Sequence, residues 1–122
     1  MGEGEKSMPV EVRFDGRSTG MGAYTQYHIF SLRQKKEIPP HRTERSRTGR
    51  HWVDYWYLLP AKYFVCWHDI SNSGKHHCGY GLLVVSENGY KIEDWKGTIP
   101  EFAVEKLCEC IKLKLGIIQP CE

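Results

Sequence analysis

No apolar run in the sequence approaches the roughly 18–20 residues that a membrane-crossing helix needs. The opening MGEGEKSMPVEV lacks the charged-then-apolar layout of a secretory leader. Lys6 stands where a myristoylation signal wants Ser or Thr, and Cys121 is too near the end for prenylation. A cytoplasmic or nuclear location is therefore the expectation. A regular cysteine framework is also missing. Cys66, Cys78, Cys108, Cys110 and Cys121 form an odd set, and without a leader they are expected to be reduced. There are no internal repeats. The glycine-rich GRSTGMG at 16–22 lacks the GK[ST] ending of a phosphate-binding loop and reads as a turn. No cysteine sits in a recognisable active-site context.

What is present fits one domain over residues 1–122, since 122 residues support one core and not two. Hydrophobic residues make up 40% and charged residues 26%, which speaks against wholesale disorder. Residues 1–8 are small and charged and are expected to fray. Period-2 patterns follow in VEVRF, AYTQYHIFSL, HWVDYWYLL, AKYFVCWHDI, HHCGYGLLVV and YKIEDW, six candidate strands. Asn88-Gly89 predicts a hairpin between the last two. Pro60-Ala61 joins the third and fourth as a hairpin, or bends one long strand.

The period then changes. Residues 98–116 carry Val104, Leu107, Cys108, Ile111 and Leu115 on one stripe. Thr98 with Glu101 suggests a capping box, Pro100 suits the first turn, and Gly116 marks the end. The expected fold class is α+β: an antiparallel sheet or partly open barrel of about six strands with one C-terminal amphipathic helix.

Charge is unevenly spread. Residues 33–50 have a local charge of +5, against +2 for the whole chain. With Pro39-Pro40 and no hydrophobic period, 34–50 reads as a long basic loop, and loops of that length tend to be functional or disordered. Seven aromatic rings follow between Trp52 and Trp67. All seven serve either as core and cross-strand pairs, or a few of them, Trp52, Tyr55 and Trp56, line an exposed platform. Rings beside Lys35, Lys36, Arg42, Arg45, Arg47 and Arg50 suit single-stranded nucleic acid, RNA favoured. Bases stack on aromatic faces for about 1–3 kcal/mol each, and the cations meet phosphate. The alternative is a protein-interaction or inhibitory domain whose basic loop docks an acidic partner.

Two further patterns bear on chemistry. Cys66-x-His68 and His76-x-Cys78 mirror each other across a turn, and zinc accepts such donors. Residues i and i+2 on a strand lie about 6.5–7 Å apart, however, so four ligands on a flat hairpin converge poorly. Core cysteines with surface histidines, or a thiol pair with a redox role, are the competing assignments. Cys108 and Cys110, two apart on one helix, should diverge. Asp69 with Asp94-x-Lys96 resembles the acid and acid-x-lysine arrangement of metal-dependent nucleases, in which carboxylates hold a divalent cation and the lysine orients water.

Overall fold

The computed structural model describes residues 8–119. Most of the segment expected to fray, and Cys121, lie outside the described residues. Eight strands precede the helical segment: β1 (Val10–Ser18), β2 (Tyr24–Ser31), β3 (Lys36–Ile38), β4 (Arg42–Arg45), β5 (His51–Leu58), β6 (Ala61–Ile70), β7 (Gly79–Ser86) and β8 (Gly89–Glu93). All pair antiparallel in the order β4-β5-β1-β2-β6-β7-β8, with β3 beside β2. The sheet-dominated, partly open barrel agrees with expectation. The strand count does not.

Both additional strands come from the segment expected to be a long loop. β4 lies along β5, with Arg42 opposite Tyr55 and Arg45 opposite Trp52. All four residues of β4 are exposed. An edge strand with no buried side needs no hydrophobic alternation, and charge on an edge discourages unwanted pairing. That is why the pattern was silent there. β1 also runs farther than VEVRF, through Gly16. The Trp52 indole lies over this glycine so closely that a Cβ would meet its Nε1 at 2.1 Å.

The joint at Pro60 is neither a hairpin nor a bent strand. β5 pairs with β1 and β4, whereas β6 pairs with β2 and β7. β1 and β2 thus lie between the two aromatic strands. β1 and β2 themselves pair only at Arg17–Thr25 and Ser18–Tyr24, and beyond that ladder they meet through side chains, the Phe14 and Tyr27 rings stacking with centroids 4.2 Å apart.

The curl of the sheet follows from its core. Val12, Ile29, Trp56, Leu58, Val65, Leu83 and Val85 form one buried cluster. Strands as distant in the sheet as β5 and β7 can share a cluster only if the sheet wraps around it. Tyr90 on β8 helps close the wrap: its hydroxyl donates to the Arg13 carbonyl at 3.2 Å and accepts from the Arg13 N–H at 3.4 Å. The opposite face carries Phe30, Phe64 and Cys66, covered by Ala103 and Leu107. The Glu87–Asn88 turn joins β7 to β8, as Asn88-Gly89 predicted, with Gly89 at φ 139°.

The single long helix expected over 98–116 is two short pieces: a 3₁₀ helix, Glu101–Lys106, and α1, Glu109–Lys114. Between them Leu107 and Cys108 are extended, with ψ of 145° and 144°. Thr98 forms no capping box, because Pro100 holds the cap position and no side chain bonds there. Gly116 does end the helix. Its φ is 74°, Ile117 N–H donates to the Lys112 carbonyl, and Gly116 N–H donates to that of Leu113. These are the two bonds of a Schellman stop.

Candidate metal centre

Four ligand-type side chains meet where β6, β7 and α1 come together. On the sheet side, Ser71 N–H donates to the Lys75 carbonyl and Gly74 N–H to that of Ser71, both at 2.9 Å. This tight loop returns the chain so that His76 bridges Ile70. His77 N–H donates to the Asp69 carbonyl at 2.7 Å. Alternate residues of extended chain share a side, and the Cys78 thiol lies 4.0 Å from His76 Nδ1.

The other pair comes from the break in the helix. Cys108 caps α1 in an extended conformation and Cys110 lies in its first turn. Their sulfurs are 3.2 Å apart, and Cys108 Sγ is 3.8 Å from His76 Nδ1. The divergence expected of two cysteines on one helix does not occur, because only one of them lies within a helix. The donor atoms of His76, Cys78, Cys108 and Cys110 all fall within 4.8 Å of one another, the one group of this kind among the described residues. Zinc–sulfur and zinc–nitrogen bonds of about 2.3 and 2.0 Å place tetrahedral ligand atoms about 3.5–3.8 Å apart. The cluster can hold a metal ion.

Its electrostatics suit that role. Burial opposes ionisation of Cys108, but hydrogen bonds from Cys78, His76 and Cys110 outweigh it and bring the thiol down to about 7. Burial, and then the bond it gives Cys108, push Cys78 up to about 12. Cys110 is raised for the same two reasons. One sulfur is thus prepared as a thiolate, with its neighbours as donors. Metal ligation requires deprotonated thiols, and an ion would displace the remaining protons.

Half of the sequence-derived ligand set is therefore replaced. His76 and Cys78 belong to the cluster. Cys66 and His68 do not. Cys66 pairs with Tyr80, and four residues of β6, about 13 Å of strand, separate it from Ile70, where His76 bridges. The Cys66 thiol and the His68 imidazole instead face the Lys106 carbonyl. Cys66 Sγ donates at 3.6 Å and His68 Nε2 at 2.9 Å. Burial raises Cys66 to about 12. Burial also lowers His68, against the opposing pull of the Lys106 carbonyl. The sequence signal for the converging set is the matched spacing of H-x-C at 76–78 and C-x-C at 108–110, which a continuous helix over 98–116 hides because it separates the second pair.

The aromatic platform is corrected too. Trp52, Tyr55 and Trp56 are only 9%, 8% and 1% exposed. Trp56 belongs to the wrapped core and its Nε1 donates to the Ile38 carbonyl at 2.7 Å. The Arg42 guanidinium lies 3.9 Å from the centre of the Tyr55 ring, and that of Arg45 lies 5.1 Å from the Trp52 ring. Of the two readings of these rings, the structure takes the core one, with arginines over Tyr55 and Trp52.

The basic residues also divide. Arg42, Arg45, Arg47 and Arg50 are exposed along β4 and the turn after it. Lys35 precedes β3 and Lys36 opens it, beside the far end of β2, where Lys36 pairs with Ser31. Thr25, the partner of Arg17 near His51, is six residues, about 20 Å, away along the strand.

The nuclease pattern does not assemble. Asp69 lies opposite Thr25, which donates to its carboxylate at 3.0 Å. Asp94 follows Glu93, which is level with Leu82 and so with Phe64. β7 and five residues of β6, about 17 Å, separate the two acids.

None of the described helices is long and apolar enough to cross a membrane. Comparison of the chain with protein families, curated proteins and solved structures finds no match.

Proposed function

We propose that this chain is a small zinc-stabilised binding domain. Zn²⁺ would be held by His76, Cys78, Cys108 and Cys110, and the observation that carries this is the approach of those four donor atoms to within 4.8 Å. Three sulfurs and one imidazole nitrogen are donors that zinc favours, and four protein ligands leave no open position for substrate, which marks a structural role. The ion would tie α1 to the start of β7 and hold the C-terminal segment over Phe30 and Phe64. No step of chemistry is assigned to it.

The test is unfolding with and without metal. Zinc at a thousandfold excess over its dissociation constant should stabilise the fold by about 4 kcal/mol, and a chelator should remove that gain. Identical unfolding curves in both conditions would contradict the proposal.

A second reading concerns the partner. Single-stranded nucleic acid, RNA favoured, would bind along the β4–β5 ribbon. What supports this is the exposure of Arg42, Arg45, Arg47 and Arg50 on one edge strand and its turn. Because the neighbouring rings are buried, recognition there would be chiefly of phosphate, with Arg42 and Arg45 held flat by Tyr55 and Trp52. Fluorescence anisotropy of labelled RNA and DNA oligonucleotides at about 50 and 200 mM salt tests it. Binding that weakens steeply with salt supports the reading. No binding at the lower salt refutes it and transfers the ribbon to an acidic protein partner.

A further inference from the structure

In an unbroken helix the carbonyl of Lys106 would accept the N–H of Cys110, four residues on. Here it accepts from His68 Nε2 at 2.9 Å and Cys66 Sγ at 3.6 Å, both side chains of β6. Directly after this carbonyl the backbone opens, and Leu107 and Cys108 are extended before α1 begins. Residues two apart on an α-helix point about 200° from each other. Had the helix continued, Cys108 and Cys110 would face opposite ways. With the break, their sulfurs are 3.2 Å apart.

From this we infer that His68 and Cys66 are positioning residues for the metal centre. By engaging the Lys106 carbonyl they stop the first helical piece two residues before Cys108 and thereby turn both thiols toward His76 and Cys78. His68 is the stronger element, since an imidazole N–H is a better donor than a thiol and its contact is shorter. The burial of Leu107 beside Phe30 and Phe64 seats the extended link on the sheet. The sheet thus builds half of a site whose ligands lie on another element, as outer-shell donors do when they orient metal ligands.

This inference rests on the zinc reading, and the experiment separates the two. Co²⁺ is titrated into the metal-free protein, and the sulfur-to-cobalt and ligand-field bands are followed in the wild-type chain and in His68→Gln, His68→Leu and Cys66→Ala. Gln keeps an N–H donor, whereas Leu fills similar space without one. His68→Leu should bind Co²⁺ about 10–100-fold more weakly, the usual effect of losing an outer-shell partner, with ligand-field bands displaced from the tetrahedral pattern. His68→Gln should recover most of the affinity and the wild-type spectrum. Circular dichroism of metal-free His68→Leu should show added helix, as the two pieces join.

Equal affinity and spectra for His68→Leu and wild type would overturn the inference and leave the zinc reading intact. So would equal loss in His68→Leu and His68→Gln, since that would mean the donor is irrelevant. If His68→Leu does not fold, Cys66→Ala decides. It removes the second donor alone and should weaken Co²⁺ binding measurably, while unchanged binding overturns the inference. No Co²⁺ binding by the wild-type chain would overturn the metal reading itself.

Discussion

The thiol of Cys108 lies 3.8 Å from Nδ1 of His76, a residue 32 positions earlier that sits where β7 begins. This contact joins the C-terminal segment to the sheet at the one place among the described residues where side chains able to bind a metal converge. Chain topology makes it. His76 is presented by a tight loop, and Cys108 by an interruption between two helical pieces.

Thiol reactivity should sort the cysteines by position. In the metal-free protein at neutral pH, Cys108, lowered to about 7, carries a substantial thiolate fraction, while Cys66, raised to about 12, carries almost none. Alkylation followed by peptide mass spectrometry should find Cys108 modified well before Cys66. Added zinc should slow Cys108 strongly and leave Cys66 unchanged. Equal rates at the two sites would contradict this arrangement.

His68 should make the metal-free fold acid-sensitive. Its folded-state pKa is lowered from 6.5, first by burial. Above about pH 6.5 the ring is neutral in both folded and unfolded chains and stability is unaffected. Below that, the unfolded chain binds the proton first, so stability falls with falling pH until the folded ring also protonates. Urea unfolding between about pH 7.5 and 5 should show this decline, smaller in His68→Gln. A decline of equal size in both proteins would remove His68 as its source.

Gly16→Ala tests the contact between β1 and β5. The new methyl would fall 2.1 Å from Trp52 Nε1, so the indole must shift. Overpacking of this kind costs about 1–3 kcal/mol, readable as a lower urea midpoint. Stability equal to wild type would show that the ring is not seated on Gly16.

The rings and the arginines should separate under mutation. Trp56→Ala should destabilise by about 3–5 kcal/mol, as for a fully buried ring. Joint replacement of Arg45, Arg47 and Arg50 by Ala should shift stability by no more than about 0.5 kcal/mol per site. That triple variant should also reduce the salt dependence of oligonucleotide binding by about two in log–log slope. An unchanged slope would remove the ribbon from the nucleic-acid reading.

Much of the barrel was legible because β2, β6 and β7 bury residues on both faces, in the wrapped core and beneath the helical segment. Such strands read as short runs rich in β-branched and aromatic residues. β4 left no trace because nothing on it is buried. The separation of β5 from β6 was equally invisible, since adjacency in sequence favours a hairpin and the insertion of β1 and β2 between them depends on long-range pairing. The helix misled for a different reason. Val104, Leu107, Ile111 and Leu115 do keep helical spacing, but Leu115 is 41% exposed, and the carbonyl contacts that end the first piece come from residues 38 and 40 positions earlier. The candidate metal centre was half legible. His76 and Cys78 declare themselves by local spacing, whereas Cys108 and Cys110 become partners only once that break exists.

The most direct measurement is the zinc content of the reconstituted protein, by elemental mass spectrometry after gel filtration, for the wild type and for Cys66→Ser, Cys78→Ser, Cys108→Ser and Cys110→Ser. One zinc per chain should be found in the wild type and retained in Cys66→Ser, with sharp loss in the other three. Wild-type chain without zinc, or zinc lost from Cys66→Ser but kept by Cys108→Ser and Cys110→Ser, would contradict the assignment of the centre to His76, Cys78, Cys108 and Cys110.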